Sequence, residues 1–446
     1  VDNYDLVQTD RGYDIVVNLD TMWDGTDASQ HAVRELRVPL VIPAGATTGA
    51  VPVVDDERLP EAMYALLAAT AGVGAPNPMG DQITELPRIE PESPDSEFGE
   101  AHYRFSIRPE LGTLHAGVTA ASLPSSLKPA PIVPSAVLGM CWPSIYAALG
   151  SAIVDDYPVI EGLLNAVHLD HTENLDTDKL TGLDHLDARS RCTSYSESSS
   201  GRVVVVETEL THEGEFVGSF IERFAIRGRV FGKELPADPP YAGGIEQEIS
   251  DTARSVLRRV SVSAPEDMTP FAMVSGDYNP IHTSYRAAKV AGMETPLVHG
   301  MWLCAAAQHA VSATDEDGHR WHIQGWTYRM YGTVDLNDEV DISVERIGSV
   351  AGGGLILEVN CRVDKNVVSQ ATATVTPAKT AYVYPGQGVQ SQGMALDERA
   401  SSPAAREVWE RADKHTREAL DFSILAIVRD NPQVLTANGV TYRHPQ

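Results

Sequence analysis

The chain has 446 residues and a formal net charge of −28, and its 43% apolar and 22% charged residues are the proportions of a folded protein with ample core. The negative balance argues against nucleic acid or an anionic membrane as the main partner, and no apolar run approaches a membrane span. The four cysteines, Cys141, Cys192, Cys304 and Cys361, lie far apart without metal-ligand spacing, and no secretory leader is apparent, so free thiols in a reducing cytoplasm are expected.

Residues 1–98 open without Met, on Val1-Asp2-Asn3-Tyr4, and read as a piece of something longer. Strands are predicted near Tyr13 to Leu19 and Val33 to Ile42, and a helix near Leu59 to Ala71. No catalytic constellation appears there, and the segment reads as a linker or a degenerate copy of the unit that follows. Residues 74–98, with Pro76, Pro78, Pro87, Pro91 and Pro94, read as an exposed connector.

Residues 99–235 and 236–377 read as two copies of one unit. Val137-Leu138-Gly139-Met140-Cys141-Trp142 is mirrored by Val298-His299-Gly300-Met301-Trp302-Leu303 at an offset of 161. A strand near His102 to Arg108 precedes the first run. Strands follow it near Asp187 to Ser196, Arg202 to Leu210 and Glu215 to Ile226. The second run is followed by strands near His322 to Tyr331, Glu339 to Ile347, Leu355 to Val363 and Val367 to Val375, with turns such as Glu213-Gly214 between antiparallel neighbours. Each copy thus predicts one apolar helix wrapped by an antiparallel sheet, an α+β architecture. In the first copy Leu138 stands where the second has His299, and Pro143 falls inside the helix, where it removes a hydrogen bond and bends or shortens it. His168-Leu169-Asp170-His171 has no third ligand in view, so no metal is assigned. Arg254, Arg258 and Arg259 read as the solvated face of a short helix.

The second copy carries Ser275-Gly276-Asp277-Tyr278-Asn279-Pro280-Ile281-His282. Pro280 fixes its own φ and restrains Asn279, and Gly276 permits a turn, so the stretch predicts a rigid bend that brings a carboxylate, an amide and an imidazole to one small volume. That is the equipment for moving two protons. The apolar run from Leu297 predicts a helix whose first amides, at Gly300, suit developing negative charge.

Ser-Gly-Asp-x-Asn-Pro-x-His followed by Pro-x-x-His-Gly-Met resembles the MaoC-like hydratases and dehydratases, the R-specific hydratase 2 group. The resemblance implies a double hot dog, antiparallel sheets wrapped around central helices. By it, Asp277 and His282 are the acid and base in either order, with Asn279, His299 and the backbone N–H of Gly300 in support. One working cleft per chain is expected, with the first copy supplying packing and, through Val137, Met140 and Trp142, a tunnel for an acyl chain.

From 378 to 446 the composition changes again. Tyr384-Pro385-Gly386-Gln387-Gly388-Val389-Gln390 resembles the opening of malonyl- and acyl-transferase domains, a truncated α/β start. It implies an oxyanion-hole amide at Gln387, but no Gly-x-Ser-x-Gly nucleophile turn is present. This order resembles the dehydratase to malonyl/palmitoyl-transferase junction of type I fatty acid synthases, closest to the single-chain synthases of mycobacteria and related actinobacteria and shared by fungal β subunits. It implies dehydration of carrier-bound (3R)-3-hydroxyacyl thioesters, with an acyl carrier protein bearing phosphopantetheine, other synthase domains and subunits, and a homo-oligomeric synthase as partners. No cofactor is expected for this segment, and NADPH and FMN belong to neighbouring domains. The alternatives are a stand-alone R-specific enoyl-CoA hydratase or a mainly architectural segment of the synthase barrel.

Overall fold

The computed structural model describes residues 4–18, 35–75, 77–91, 99–151, 153–154, 157–158, 166–198, 201–226, 242–377 and 390–443. Two compact bodies, Val1–Ala378 and Lys379–Gln446, are described separately.

The first body begins with β1 (Tyr4–Gln8), β2 (Gly12–Asn18), β3 (Glu35–Val41) and β4 (Val53–Val54), an antiparallel sheet of its own, and then α1 (Leu59–Thr70), with a proline in its first turn. Residues 74–98 read in the sequence as an exposed connector. Instead Ala75, Met79 and Leu86 within it are buried. Asn77 Oδ1 accepts the Met79 and Gly80 amides and folds the stretch back on itself. The proline count marks the turns but not these apolar anchors.

The first repeat contains β5 (Ile89–Pro91), β6 (Gly99–Ser106), α2 (Leu111–Thr119), α3 (Pro134–Gly139), α4 (Trp142–Ser151), the short pair β7 (Ile153–Val154) and β8 (Tyr157–Pro158), β9 (Ala166–Leu175), β10 (His185–Ser198), β11 (Gly201–His212) and β12 (Glu215–Ile226). The second contains β13 (Ile249–Ser263), α5 (Thr269–Ser275), α6 (Tyr285–Val290), α7 (Gly300–Ser312), β14 (Trp321–Met330), β15 (Glu339–Val350), β16 (Leu355–Val363) and β17 (Asn366–Pro377). The two sheets are continuous. Eleven strands run in the order β13-β15-β16-β17-β14-β9-β12-β11-β10-β6-β5, and the repeats join where β14 pairs antiparallel with β9. α4 lies against β6 and β10, and α7 against β13, β14 and β15, so each repeat wraps a helix in sheet: a double hot dog.

The offset seen in the sequence survives in the helices, since α4 ends at Ser151 and α7 at Ser312. The first helix is broken rather than merely bent. α3 stops at Gly139 and α4 restarts at Trp142, with Pro143 as its second residue, where a missing N–H costs nothing. Val137, Met140 and Trp142 are core side chains.

The arginines at 254, 258 and 259 are on β13, not on a helix. Two register shifts, between Asp251 and Ser255 and between Val256 and Arg258, break the alternation that would have marked a strand. Arg254 pairs with Glu345 and Glu358. Arg258 is buried and donates to the carbonyls of Ala310, Val311 and Ala313, unpaired acceptors at the end of α7.

The His168 cluster also reads differently. A bulge at Leu169 sets Asp170 opposite Arg223 but His168 opposite Phe224. The parity of the strand flips there, and His168 and His171, three apart, reach the same buried carboxylate, Glu222, at 2.6 and 3.3 Å. Asp170 is held by Arg223. His171 Nε2 lies 3.3 Å from Cys304 Sγ on α7, which ties the two repeats at their seam. Burial opposes a charge on His171, but Glu222, Cys304 and Glu173 raise its pKa well above the usual value, and Glu222 is correspondingly lowered against its own burial. Removing one partner of a buried pair strands the other, so Glu222→Ala is expected to cost about 3–5 kcal/mol. The urea midpoint of the variant measures it, and a change below about 1 kcal/mol would show that the pair is not holding the seam.

In the second body α8 (Leu396–Ser401), α9 (Pro403–Leu420) and α10 (Ile424–Asp430) precede a hairpin of β18 (Val434–Ala437) and β19 (Val440–Arg443). Ser402 and Ser423 cap α9 and α10 by accepting the Ala405 and Ala426 amides. Of the strand and glycine-rich turn expected over residues 381–394, residues 381–389, with Gln387, lie outside the described residues.

Candidate active site

α5 ends on Gly276, whose φ of 70° reverses the chain without the penalty a Cβ would bring. The loop that follows is pinned from both sides. Asn279 N–H donates to Asp277 Oδ1 at 3.0 Å and Ile281 N–H to Asn279 Oδ1 at 3.3 Å, two Asx turns in succession. Tyr278 N–H donates to the Thr70 carbonyl at 2.7 Å, and its ring packs with Leu36, Ala62, Ala69 and Ala75. The N-terminal segment thus buttresses the loop.

His282 Nδ1 lies 2.9 Å from the Leu297 carbonyl oxygen. A carbonyl only accepts, so Nδ1 carries the proton and Nε2 is left as an acceptor. His299 has the opposite arrangement. It caps α7, with Met301 N–H donating to Nδ1 at 3.1 Å, so the proton sits on Nε2 and is donated to Asp277 Oδ2 at 2.8 Å. The two imidazole rings stand 4.3 Å apart at 41°.

A further donor was not foreseen. Tyr146, on α4 of the first repeat, gives its hydroxyl to the same Asp277 oxygen at 3.0 Å. Nothing in the local pattern of Trp142 to Ser151 distinguishes Tyr146 from a core residue, because the partner lies 131 residues away.

Burial works to raise the pKa of Asp277, but His299, which donates to it, and then His282 and the Asn279 amide hold it below the ordinary carboxylate value. The carboxylate is ionised at neutral pH. His282 is pushed down to about 3 by burial and by His299, against the upward pull of the Leu297 carbonyl and Asp277. It is neutral in the resting site. At Gly300, a Cβ would collide with the Met330 thioether, so the close approach of Met330 requires a glycine there. Its N–H has no hydrogen-bond partner among the described residues, and those of Met301, Trp302 and Leu303 are taken by His299. The structure therefore brings Asp277, His282 and His299 together with one free backbone donor at the start of α7, and Asn279 braces the loop.

The depressed His282 value has a pH consequence. An unfolded histidine titrates near 6.5. Below that value the unfolded chain takes up a proton that folded His282 refuses until about 3, so stability is complete above about 6.5 and declines as pH falls toward 3. Buried His115 and His309, pushed by burial to about 3 and about 4, act in the same direction. The melting temperature is expected to fall from pH 7 to pH 5, and less steeply for His282→Ala. Where the protein stays folded, kcat/KM should show no acid limb near pH 6.5. A limb there would mean that His282 is protonated in the free enzyme.

Family models match three stretches: the fatty acid synthase SBS domain over residues 1–73, the MaoC like domain over 245–369 and the acyl transferase domain over 381–442. The fatty acid synthase beta subunit TOXC of Cochliobolus carbonum is 38% identical over 178 residues, 40% of this chain and 9% of that protein. The fatty acid synthase subunit beta of Saccharomyces cerevisiae is 36% identical over 172 residues, 39% of this chain and 8% of that protein. The chain spans about a tenth of the length of these relatives, which are fungal rather than actinobacterial. Among solved structures, HtdX of Mycobacterium tuberculosis overlaps 62% of this chain and 99% of its own, at 19% identity and a TM-score of 0.42. A MaoC-like dehydratase from Phytophthora capsici overlaps 64% and 97%, at 14% and 0.42. No helix among the described residues is long and apolar enough to cross a membrane. Residues 245–369, the stretch that matches the MaoC like domain, hold Asp277, His282 and His299, and they lie between stretches that match the fatty acid synthase SBS domain and the acyl transferase domain.

Proposed function

We propose that this chain dehydrates carrier-bound (3R)-3-hydroxyacyl thioesters to trans-2-enoyl thioesters within a type I fatty acid synthase. The observation that carries the reading is the convergence of a neutral imidazole acceptor, His282 Nε2, and an ionised carboxylate, Asp277, on His299, the residue that caps α7 just before the free amide of Gly300. Dehydration needs a base at C2, a proton for the oxygen leaving C3, and a donor for enolate-like charge on the thioester carbonyl.

In this arrangement His282 Nε2 takes the C2 proton, and the electron pair of the broken C–H bond becomes the C2=C3 double bond. The C3–O bond breaks with its electrons on oxygen, and the imidazolium of His282 returns the proton to that oxygen, releasing water. Asp277 accepts the hydrogen bond of the 3-hydroxyl and offsets the charge on His282, and the Gly300 N–H faces the thioester carbonyl. Asn279 keeps the loop in shape, and His299 keeps Asp277 in place. Every group comes from the chain, so no cofactor is called for.

The similarity to fungal beta subunits supports an acyl carrier protein with a phosphopantetheine-linked chain as substrate donor, other synthase domains and subunits as partners, a homo-oligomeric assembly and a cytoplasmic setting. The test is turnover of a 3-hydroxyacyl thioester, on carrier protein and on CoA, followed by enoyl absorbance. Preference for the carrier-bound form supports the reading, whereas activity on CoA thioesters alone would favour a free hydratase and no activity on either an architectural role.

A further inference from the structure

An ionised carboxylate offers about four acceptor sites, two on each oxygen. On Asp277, Oδ2 receives both the Tyr146 hydroxyl at 3.0 Å and His299 Nε2–H at 2.8 Å, and Oδ1 receives the Asn279 amide at 3.0 Å. Oδ2 is saturated, and one site on Oδ1 stays open.

From this count, which rests on the dehydratase reading, we infer that Tyr146, supplied by the first repeat, is a positioning residue for the reaction: with His299 it fills Oδ2 and leaves Oδ1 as the place where the substrate hydroxyl docks. The first repeat lacks the acid, amide and base of its twin, yet it completes the twin's site. The break at Met140 and Cys141 that starts α4 afresh belongs to the same arrangement, because Tyr146 reaches Asp277 from this restarted helix. Its ring is held from within the first repeat. Trp142 stacks on it at 5.3 Å and 26°, and meets His168 edge-on at 6.2 Å, where Glu222 fixes the imidazole. Burial, and then the charge of Asp277, push the ionisation of Tyr146 well above the usual phenol value, so the hydroxyl remains a donor.

The experiment uses the full chain and Tyr146→Phe, with three readouts. kcat on a 3-hydroxyacyl thioester is expected to fall about tenfold with KM changed less than about twofold, as for the loss of one charge-assisted hydrogen bond. The variant stays folded, with a melting temperature lowered by a few degrees at most, in step with the raised carboxyl midpoint. The titration midpoint of the Asp277 carboxyl, followed by NMR of selectively labelled aspartate without substrate, moves to higher pH, which a merely structural phenol would not cause. Wild-type kcat with an unmoved midpoint overturns the inference. If Tyr146→Phe fails to fold, 3-fluorotyrosine placed at 146 keeps the shape and strengthens the donor, and the midpoint should move to lower pH; no movement overturns the inference equally. A wild-type chain inactive on every thioester would count against the dehydratase reading, whereas the midpoint reports on Tyr146 independently of turnover.

Discussion

His282→Ala is expected to lower kcat for dehydration by about 10²- to 10⁴-fold, the range typical of a general base, while the fold survives. The Leu297 carbonyl fixes the proton on Nδ1, which leaves Nε2 as the free basic nitrogen of the site. His299 cannot take over, because its Nδ1 is spent on the Met301 amide and its Nε2–H on Asp277. The structural cost is one hydrogen bond to a carbonyl, about 1 kcal/mol. Dehydration rate and thermal melt, measured side by side, check this. A variant with nearly normal kcat and an intact melt would remove His282 from the chemistry.

The loop, the start of α7 and the repeat were legible in the sequence because each is local or periodic. Asp277, Asn279 and His282 fall within six residues, where Gly276 and Pro280 dictate the bend, and the two helices keep their offset to the last residue, Ser151 and Ser312. Features that depend on the partner strand or on a distant segment were hidden. Bulges on β13 and β9 scrambled the two-residue alternation, so one strand read as a helix and the shared partner of His168 and His171 stayed out of view. Tyr146 and the Thr70 carbonyl act on the loop only because the fold brings residues more than a hundred positions apart together. His299 was recognisable by its place before Gly-Met, but its two hydrogen bonds, which decide the tautomer, appear only when the cap of α7 meets Asp277.

Asp277→Asn should be as damaging to turnover as loss of His282, again about 10²- to 10⁴-fold, and for a reason that also predicts its effect on stability. The amide replaces one acceptor oxygen by a donor. If its nitrogen takes the place of Oδ2, it faces His299 Nε2–H, which cannot become an acceptor without giving up the Met301 amide. If it takes the place of Oδ1, it faces the Asn279 N–H and offers the substrate hydroxyl a donor where an acceptor was needed. Either way a buried donor is left unpaired, at about 1–3 kcal/mol, so the variant melts lower at neutral pH. The folded pKa of Asp277 lies below its unfolded value, near 3.9, so the stability from its ionised form is present above that value and lost as pH falls through the folded one. The melting gap between wild type and Asp277→Asn should accordingly narrow as pH falls below about 4. Turnover within about fivefold of wild type would remove Asp277 from the chemistry, and a gap that widens in acid would mean that the carboxyl enters the folded site already protonated.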